Sequence, residues 1–236
     1  MIQQDITYLN KNSFISGAVD CIPTLFGYLS IGFACGVVSK SCGMTILETV
    51  AMSSFIYAGS SQFAAAGMIL SSVSVPGVVL TVFLVNLRHL LMSASIAPYF
   101  SKNSLFKNFT VGALLTDETF ALASSKANSE DKIDYKWMMG INLTAYINWI
   151  FATFIGACFS SLIYDYKKFG LDFALPAMFI GLLISSVKEN SNLRKSCAII
   201  IFSAVILLIS IKSLSANTGI MIAAILGVII GGVIRK

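Results

Sequence analysis

Thr81-Val82-Phe83-Leu84-Val85-Asn86-Leu87-Arg88-His89-Leu90-Leu91-Met92 is the stretch that decides how this chain folds. It lies inside an apolar run from Val73 to Tyr99, so Arg88 and His89 have apolar sequence on both sides. A guanidinium at mid-bilayer depth costs roughly 2.5–3.5 kcal/mol on insertion scales. A span keeps such a residue when it faces a partner, a cavity or a substrate. The competing reading is an arginine that snorkels to the interface. The depth of Arg88 within the run favours an interior role.

Composition agrees with a membrane setting. The chain has 236 residues, 56% of them hydrophobic and 11% charged, and its mean hydropathy is +0.83. A soluble domain carries about 25% charged residues, which argues against a water-soluble protein. The net charge of +5 is spread over short connections and forms no patch for nucleic acid. Cys21, Cys35, Cys42, Cys158 and Cys197 form no C-x-x-C pair and read as small packing residues rather than a metal site or disulfide framework. No cleavable signal peptide is expected, because the first apolar segment lacks a basic leader and compact hydrophobic core.

Apolar stretches fall at 17–38, 45–70, 75–97, 109–125, 137–163, 174–187, 197–212 and 218–234. A bilayer core of about 30 Å takes about 20 helical residues, and several of these stretches are too short or too long for that. The expectation is an all-α, polytopic integral membrane helical bundle of seven or eight hydrophobic elements, some broken or re-entrant. It would form a single transmembrane domain over 1–236, with a polar N-terminal segment at 1–16. Eight simple crossings would put Lys126, Lys132 and Lys136 on the face of both termini and Lys40, Lys102 and Lys107 on the other. Over the whole chain the Lys and Arg count is nine against six, which favours cytoplasmic termini. An echo links Asp20, Pro23 and Gly27 with Asp172, Pro176 and Gly181, in the manner of an internal repeat.

Four motifs carry candidate chemistry. Tyr57-Ala58-Gly59-Ser60-Ser61-Gln62-Phe63 interrupts the second stretch with consecutive small residues. A helix that unwinds there exposes amide N–H groups suited to a carboxylate, although small residues also permit a tight helix crossing. Asn86, Arg88 and His89 form the second group. Arg88 can grip a carboxylate with two parallel hydrogen bonds, and His89 is either a packing residue or a proton relay. Leu115-Thr116-Asp117-Glu118 places adjacent carboxylates in apolar sequence, where one can pair with Arg88 or Thr116 can cap a half-helix. Asp20 either caps the first span or contacts substrate or a proton. Elsewhere, Thr45-Ile-Leu-Glu48 has the form of a capping box. Gly32-x-x-x-Gly36 and Gly227-x-x-x-Gly231 offer grooves to a helix of this chain or of a second copy, leaving a homo-oligomer open. Asn142, Tyr146 and Trp149 stripe one helix face, either lining a cavity or bonding neighbouring helices.

Tyr57 to Phe63, Phe83 to Ser93, Leu115 to Glu118 and Leu171-Asp172-Phe173-Ala174-Leu175-Pro176-Ala177-Met178-Phe179, with Asp20, Pro23 and Gly27 at the opening, resemble the AzlC family of branched-chain amino acid permeases across nearly the whole chain. The resemblance implies a multi-pass transporter of the bacterial cytoplasmic (inner) membrane that exports valine, leucine, isoleucine and sometimes methionine. It also implies a small, separately encoded hydrophobic partner, AzlD, and no cofactor. In keeping with ion-driven transport, the chain contains no P-loop. The expected substrate shell is Gly59, Ser60, Ser61, Gln62, Asn86 and Arg88, with the backbone unwound at Gly59 to Ser61. Asp20, His89, Asp117 and Glu118 are expected to serve ammonium contact or ion coupling. Two rival readings are an intramembrane hydrolase using the i, i+4 pair His89 and Ser93, and a non-transporting scaffold subunit.

Overall fold

A computed structural model describes residues 13–130, 132–163 and 193–213, with isolated positions between 168 and 187 and between 226 and 230. The chain divides into two compact units, Met1–Leu175 and Pro176–Lys236. Every described element is helical. In the first unit they are α1 (Ser13–Asp20), α2 (Ile22–Ser41), α3 (Ile46–Phe55), α4 (Gly59–Leu70), α5 (Val75–Ile96), α6 (Leu105–Ala113), α7 (Asp117–Glu130) and α8 (Tyr135–Phe159). Short 3-10 turns at Ala97–Phe100 and Ser160–Leu162 follow α5 and α8. The second unit contributes α9 (Leu193–Ser213), which contains the expected 197–212 stretch.

Among the described residues, three helical segments are long and apolar enough to cross a membrane: Ile22–Ser41, Val75–Phe100 and Tyr135–Leu162. The expected stretches at 45–70 and 109–125 are broken, as their interrupting motifs suggest, into pairs of short helices, α3 with α4 and α6 with α7. The first expected stretch, 17–38, begins as the separate α1, breaks at Cys21, and continues as α2 with Pro23 in its first turn. Proline suits that position because its missing N–H has no intrahelical acceptor there. The stretches at 174–187 and 218–234, together with Asp172 and Pro176 of the internal echo, lie largely or wholly outside the described residues.

The frame of the first unit is α2 laid along α8 in the same direction. Asn148 donates to the Leu25 carbonyl at 3.2 Å, and further along, Gly32 faces Ala152 and Gly36 faces Thr153. A Cβ on Gly36 would stand 2.1 Å from the Thr153 carbonyl oxygen, and one on Gly156 would stand 2.1 Å from that of Phe33. The GxxxG groove of α2 is therefore filled by a helix of the same chain, backbone against backbone.

Caps explain where the short helices begin. Thr45 and Glu48 form the expected capping box, with Thr45 N donating to Glu48 Oε2 at 2.7 Å and Glu48 N to Thr45 Oγ1 at 3.2 Å. The backbone N–H of Thr45, helped by its hydroxyl, holds the Glu48 carboxyl below its ordinary range. Thr116 and Thr119 bracket the start of α7, with Thr116 N donating to Thr119 Oγ1 at 2.9 Å. Asp134 caps α8 by accepting from Trp137 N at 3.3 Å.

Two buried clusters fill the unit. One gathers Cys21, Tyr28, Leu115, Met138, Ile141 and Trp149 around the middle of α8. The other joins Val38 and Cys42 of α2, Met44, Met52 of α3, and Ala65 and Ala66 of α4. Cys21, Cys35 and Cys42 pack inside as expected, whereas Cys158 and Cys197 are exposed. Apolar side chains such as Phe83, Leu90 and Leu91 face outward from α5, as a lipid-facing helix surface requires.

Candidate functional site

The site is built where two interrupted helices meet an intact one. α3 ends at Phe55, Tyr57 takes a positive φ of 44°, and Ala58 is extended before α4 begins at Gly59. A positive φ on a bulky residue costs of order 1–3 kcal/mol. The Tyr57 ring is buried and packed edge-on against Tyr146, with centroids 4.9 Å apart. The unwound residues are thus Ile56 to Ala58, not Gly59 to Ser61 as the sequence suggests. Gly59, Ser60, Ser61 and Gln62 form the first turn of α4 instead. The shift has a simple cause: once the chain leaves the break, small residues re-enter a helix as readily as they leave one.

Ala58 supplies no side-chain cap. The N–H groups of Gly59, Ser60 and Ser61 are therefore the donors that a helix start leaves without an intrahelical acceptor. They carry the partial positive charge of the helix dipole. The second break, Leu114 to Thr116, starts α7 with Asp117 and Glu118 in its first turn.

Arg88 of α5 bridges the two starts. Its Nη2 donates to Ser60 Oγ at 2.8 Å, and its Nη1 lies 3.0 Å from Asp117 Oδ2. Two residues earlier on α5, Asn86 Oδ1 accepts from Ser61 Oγ at 2.5 Å. The ion pair is only partly covered, with side-chain exposures of 25% for Arg88 and 18% for Asp117. Gln62 is fully buried, donating to Ser53 Oγ at 2.8 Å and accepting from Trp149 Nε1 at 2.8 Å. With both side-chain partners inside the protein, it braces the turn on both sides.

The remaining candidates divide. Glu118 is half-buried beside the hydroxyls of Tyr28 and Thr116, and Tyr28 is hydrogen-bonded to Thr116. His89 neighbours Arg88 and Asp117, and its Nε2 is buried without a hydrogen-bond partner among the described residues. Asp20 is not drawn into the Arg88 cluster; its carboxylate accepts from Trp137 Nε1 at 2.7 Å. No group of three or more His, Cys, Asp or Glu among the described residues could hold a metal ion.

The stripe on α8 resolves as helix bonding. Asn142 Nδ2 donates to the Val111 carbonyl of α6 at 3.2 Å, Tyr146 to the Ser54 carbonyl of α3 at 2.9 Å, and Trp149 to Gln62 of α4. Each of its three residues holds a different half-helix. Tyr28 and Ser53 belong to the site's shell without having stood out in the sequence. Nothing in their neighbours' spacing marks them, since both are brought in by tertiary packing.

The architecture defines a polytopic helical membrane protein with a polar centre assembled from interrupted helices. The match of the family model AzlC protein to residues 23–163, more than half the chain, places it more narrowly. The chain belongs to the AzlC family. It is 31% identical over 193 residues to "Inner membrane protein YgaZ" of Escherichia coli (strain K12), covering 80% of this chain and 79% of that one. It is 29% identical over 193 residues to "Branched-chain amino acid transport protein AzlC" of Bacillus subtilis (strain 168), covering 79% and 75%. An "Uncharacterized membrane protein" of Archaeoglobus fulgidus is 31% identical over 231 residues, covering 95% and 97%. No solved structure matches the chain.

Proposed function

We propose that this chain is a secondary transporter of the bacterial cytoplasmic membrane that exports branched-chain amino acids, assisted by a small AzlD-like hydrophobic subunit. The observation that carries the reading is the Arg88 guanidinium held between Ser60 at the start of α4 and Asp117 at the start of α7. An amino acid zwitterion has the complementary charges. Its carboxylate would meet Arg88, the Ser60 hydroxyl and the N–H groups of the α4 first turn. Its ammonium would meet Asp117, and Glu118 or His89 would carry a coupling proton. The name of the Bacillus subtilis relative supports the substrate class.

The hydrolase alternative gains no support from geometry. A serine nucleophile needs a hydrogen-bonded base, and among the described residues His89 Nε2 has no hydrogen-bond partner, Ser93 included. The test is counterflow: proteoliposomes loaded with unlabelled leucine should accumulate labelled leucine, with imposed pH and voltage gradients identifying the coupling ion. Parallel vesicles with and without the small partner would separate a transporter from a scaffold. No counterflow in either set would overturn the proposal.

A further inference from the structure

The termini of the interrupted helices lie where simple crossings would not leave them. One recess is lined by Pro98, Tyr99, Ser101 and Lys102, which follow α5, and by Lys132, Ile133 and Asp134, which precede α8. Lys107 of α6 stands 5.1 Å from the ring centroid of Tyr135, and the Thr110 hydroxyl is 3.2 Å from that of Tyr135. At the other end of the pair, Lys126 of α7 stands 4.7 Å from the Trp137 ring. So α6 begins and α7 finishes beside the start of α8.

The first pair does the same at the opposite end. Ala65 and Ala66, in the second half of α4, share a core with Val38 and Cys42 at the close of α2 and with Met44 just before α3. Val78 and Val82, in the first half of α5, pack against that core. α4 therefore runs back toward the end at which α3 began. Lengths agree: α3, α4, α6 and α7 have 10, 12, 9 and 14 residues. At 1.5 Å per residue these reach roughly 14–21 Å, about half to two-thirds of a 30 Å hydrocarbon core and short of crossing it.

We infer that residues 45–70 and 105–130 are two re-entrant hairpins that enter the bilayer from opposite faces and meet tip to tip at Arg88. Non-helical backbone at that depth is tolerated because each tip is covered by protein. The threading also regroups the charges of the first unit. Among the described lysines, Lys102, Lys107, Lys126, Lys132 and Lys136 fall at one end, against Lys40 and, beyond the close of α8, Lys168 at the other, which puts the five-lysine end in the cytoplasm. A functional corollary rests on the transport reading above. Each hairpin closes the Arg88 site from one face, and the Arg88–Asp117 bond latches the cytoplasmic one, so a substrate carboxylate that replaces Asp117 on the guanidinium opens it.

The test uses the intact chain in sealed vesicles of known orientation, a membrane-impermeant amine reagent and site-resolved mass spectrometry. Lys102 and Lys132 should label in the same orientation and Lys40 in the opposite one. Labelling of Lys102 and Lys132 from opposite faces would overturn the threading. For the latch, a cysteine at Ser93, which lines a cavity between α5 and α6, is followed with an impermeant thiol reagent. Asp117→Asn should raise its reaction rate several-fold from the lysine-rich face; an unchanged rate, or a rise from the other face, would overturn the latch. Neither readout requires transport, so a chain that passed both yet moved no leucine would refute the transport reading alone.

Discussion

The guanidinium of Arg88 and the carboxylate of Asp117 lie 3.0 Å apart across 29 positions of sequence (117 − 88), one in the middle of an intact helix and the other at the first residue of an interrupted one. Neither charge would be stable alone at that depth. Paired, they still leave the second guanidinium nitrogen free to bind Ser60. The arrangement ties three helices through one side chain.

Replacing Arg88 by Lys keeps the charge but removes the planar fork that holds both partners. Leucine counterflow should fall by about tenfold or more, the equivalent of about 1.4 kcal/mol. Membrane insertion, measured by carbonate extraction, should be unchanged. Wild-type flux from this variant would remove the guanidinium geometry from the mechanism.

Asp117→Asn leaves the Arg88 charge without its partner, and Arg88→Gln does the reverse. Each should lower the melting temperature in detergent, since removing one member of a partly covered ion pair leaves the other charge uncompensated. The double variant should melt above at least one of the singles. Simple addition of the two losses would show that the pair contributes no coupling.

Gly59 is set by the indole of Trp149, because a Cβ there would lie 2.9 Å from Cη2. Gly59→Ala should destabilise the chain by about 1–3 kcal/mol through overpacking, read as a lower melting temperature. Trp149→Phe in the same chain makes room but forfeits the Gln62 bond, so it should restore part of the loss. No rescue would place the cause elsewhere.

The Glu48 box gives a pH signature. Its carboxyl is held below the ordinary value of 4.5 by the Thr45 N–H and hydroxyl. A depressed carboxyl contributes stability above its unfolded value and loses it as the pH falls through the folded one. Glu48→Gln should therefore melt below the wild type at pH 7, and the gap should close in acid below 4.5. A gap that is constant with pH would argue against the box.

Much of this was readable from the chain. Arg88, Asn86, Ser60, Ser61 and Asp117 were candidates because charge and small polar residues in apolar sequence are expensive to keep, and the structure brings them together. The capping box at Thr45 was legible because it is local. What the sequence hid was non-local. The small residues after Tyr57 and the capping residue Thr116 mark breaks within 45–70 and 109–125, but nothing local tells which neighbours each half-helix meets. Asp20 carried the same signal as Asp117, yet it bonds Trp137. Position along a stretch does not reveal which neighbour folding will deliver.

Asn142, Tyr146 and Trp149 lie along a single face of α8, each gripping a different half-helix. α8 thus acts as a camshaft, because any turn of this one rod about its own axis must drag all three short arms in step. A substitution on that face, although far in sequence from Arg88 and Asp117, would on the proposed threading be felt on both sides of the membrane at once.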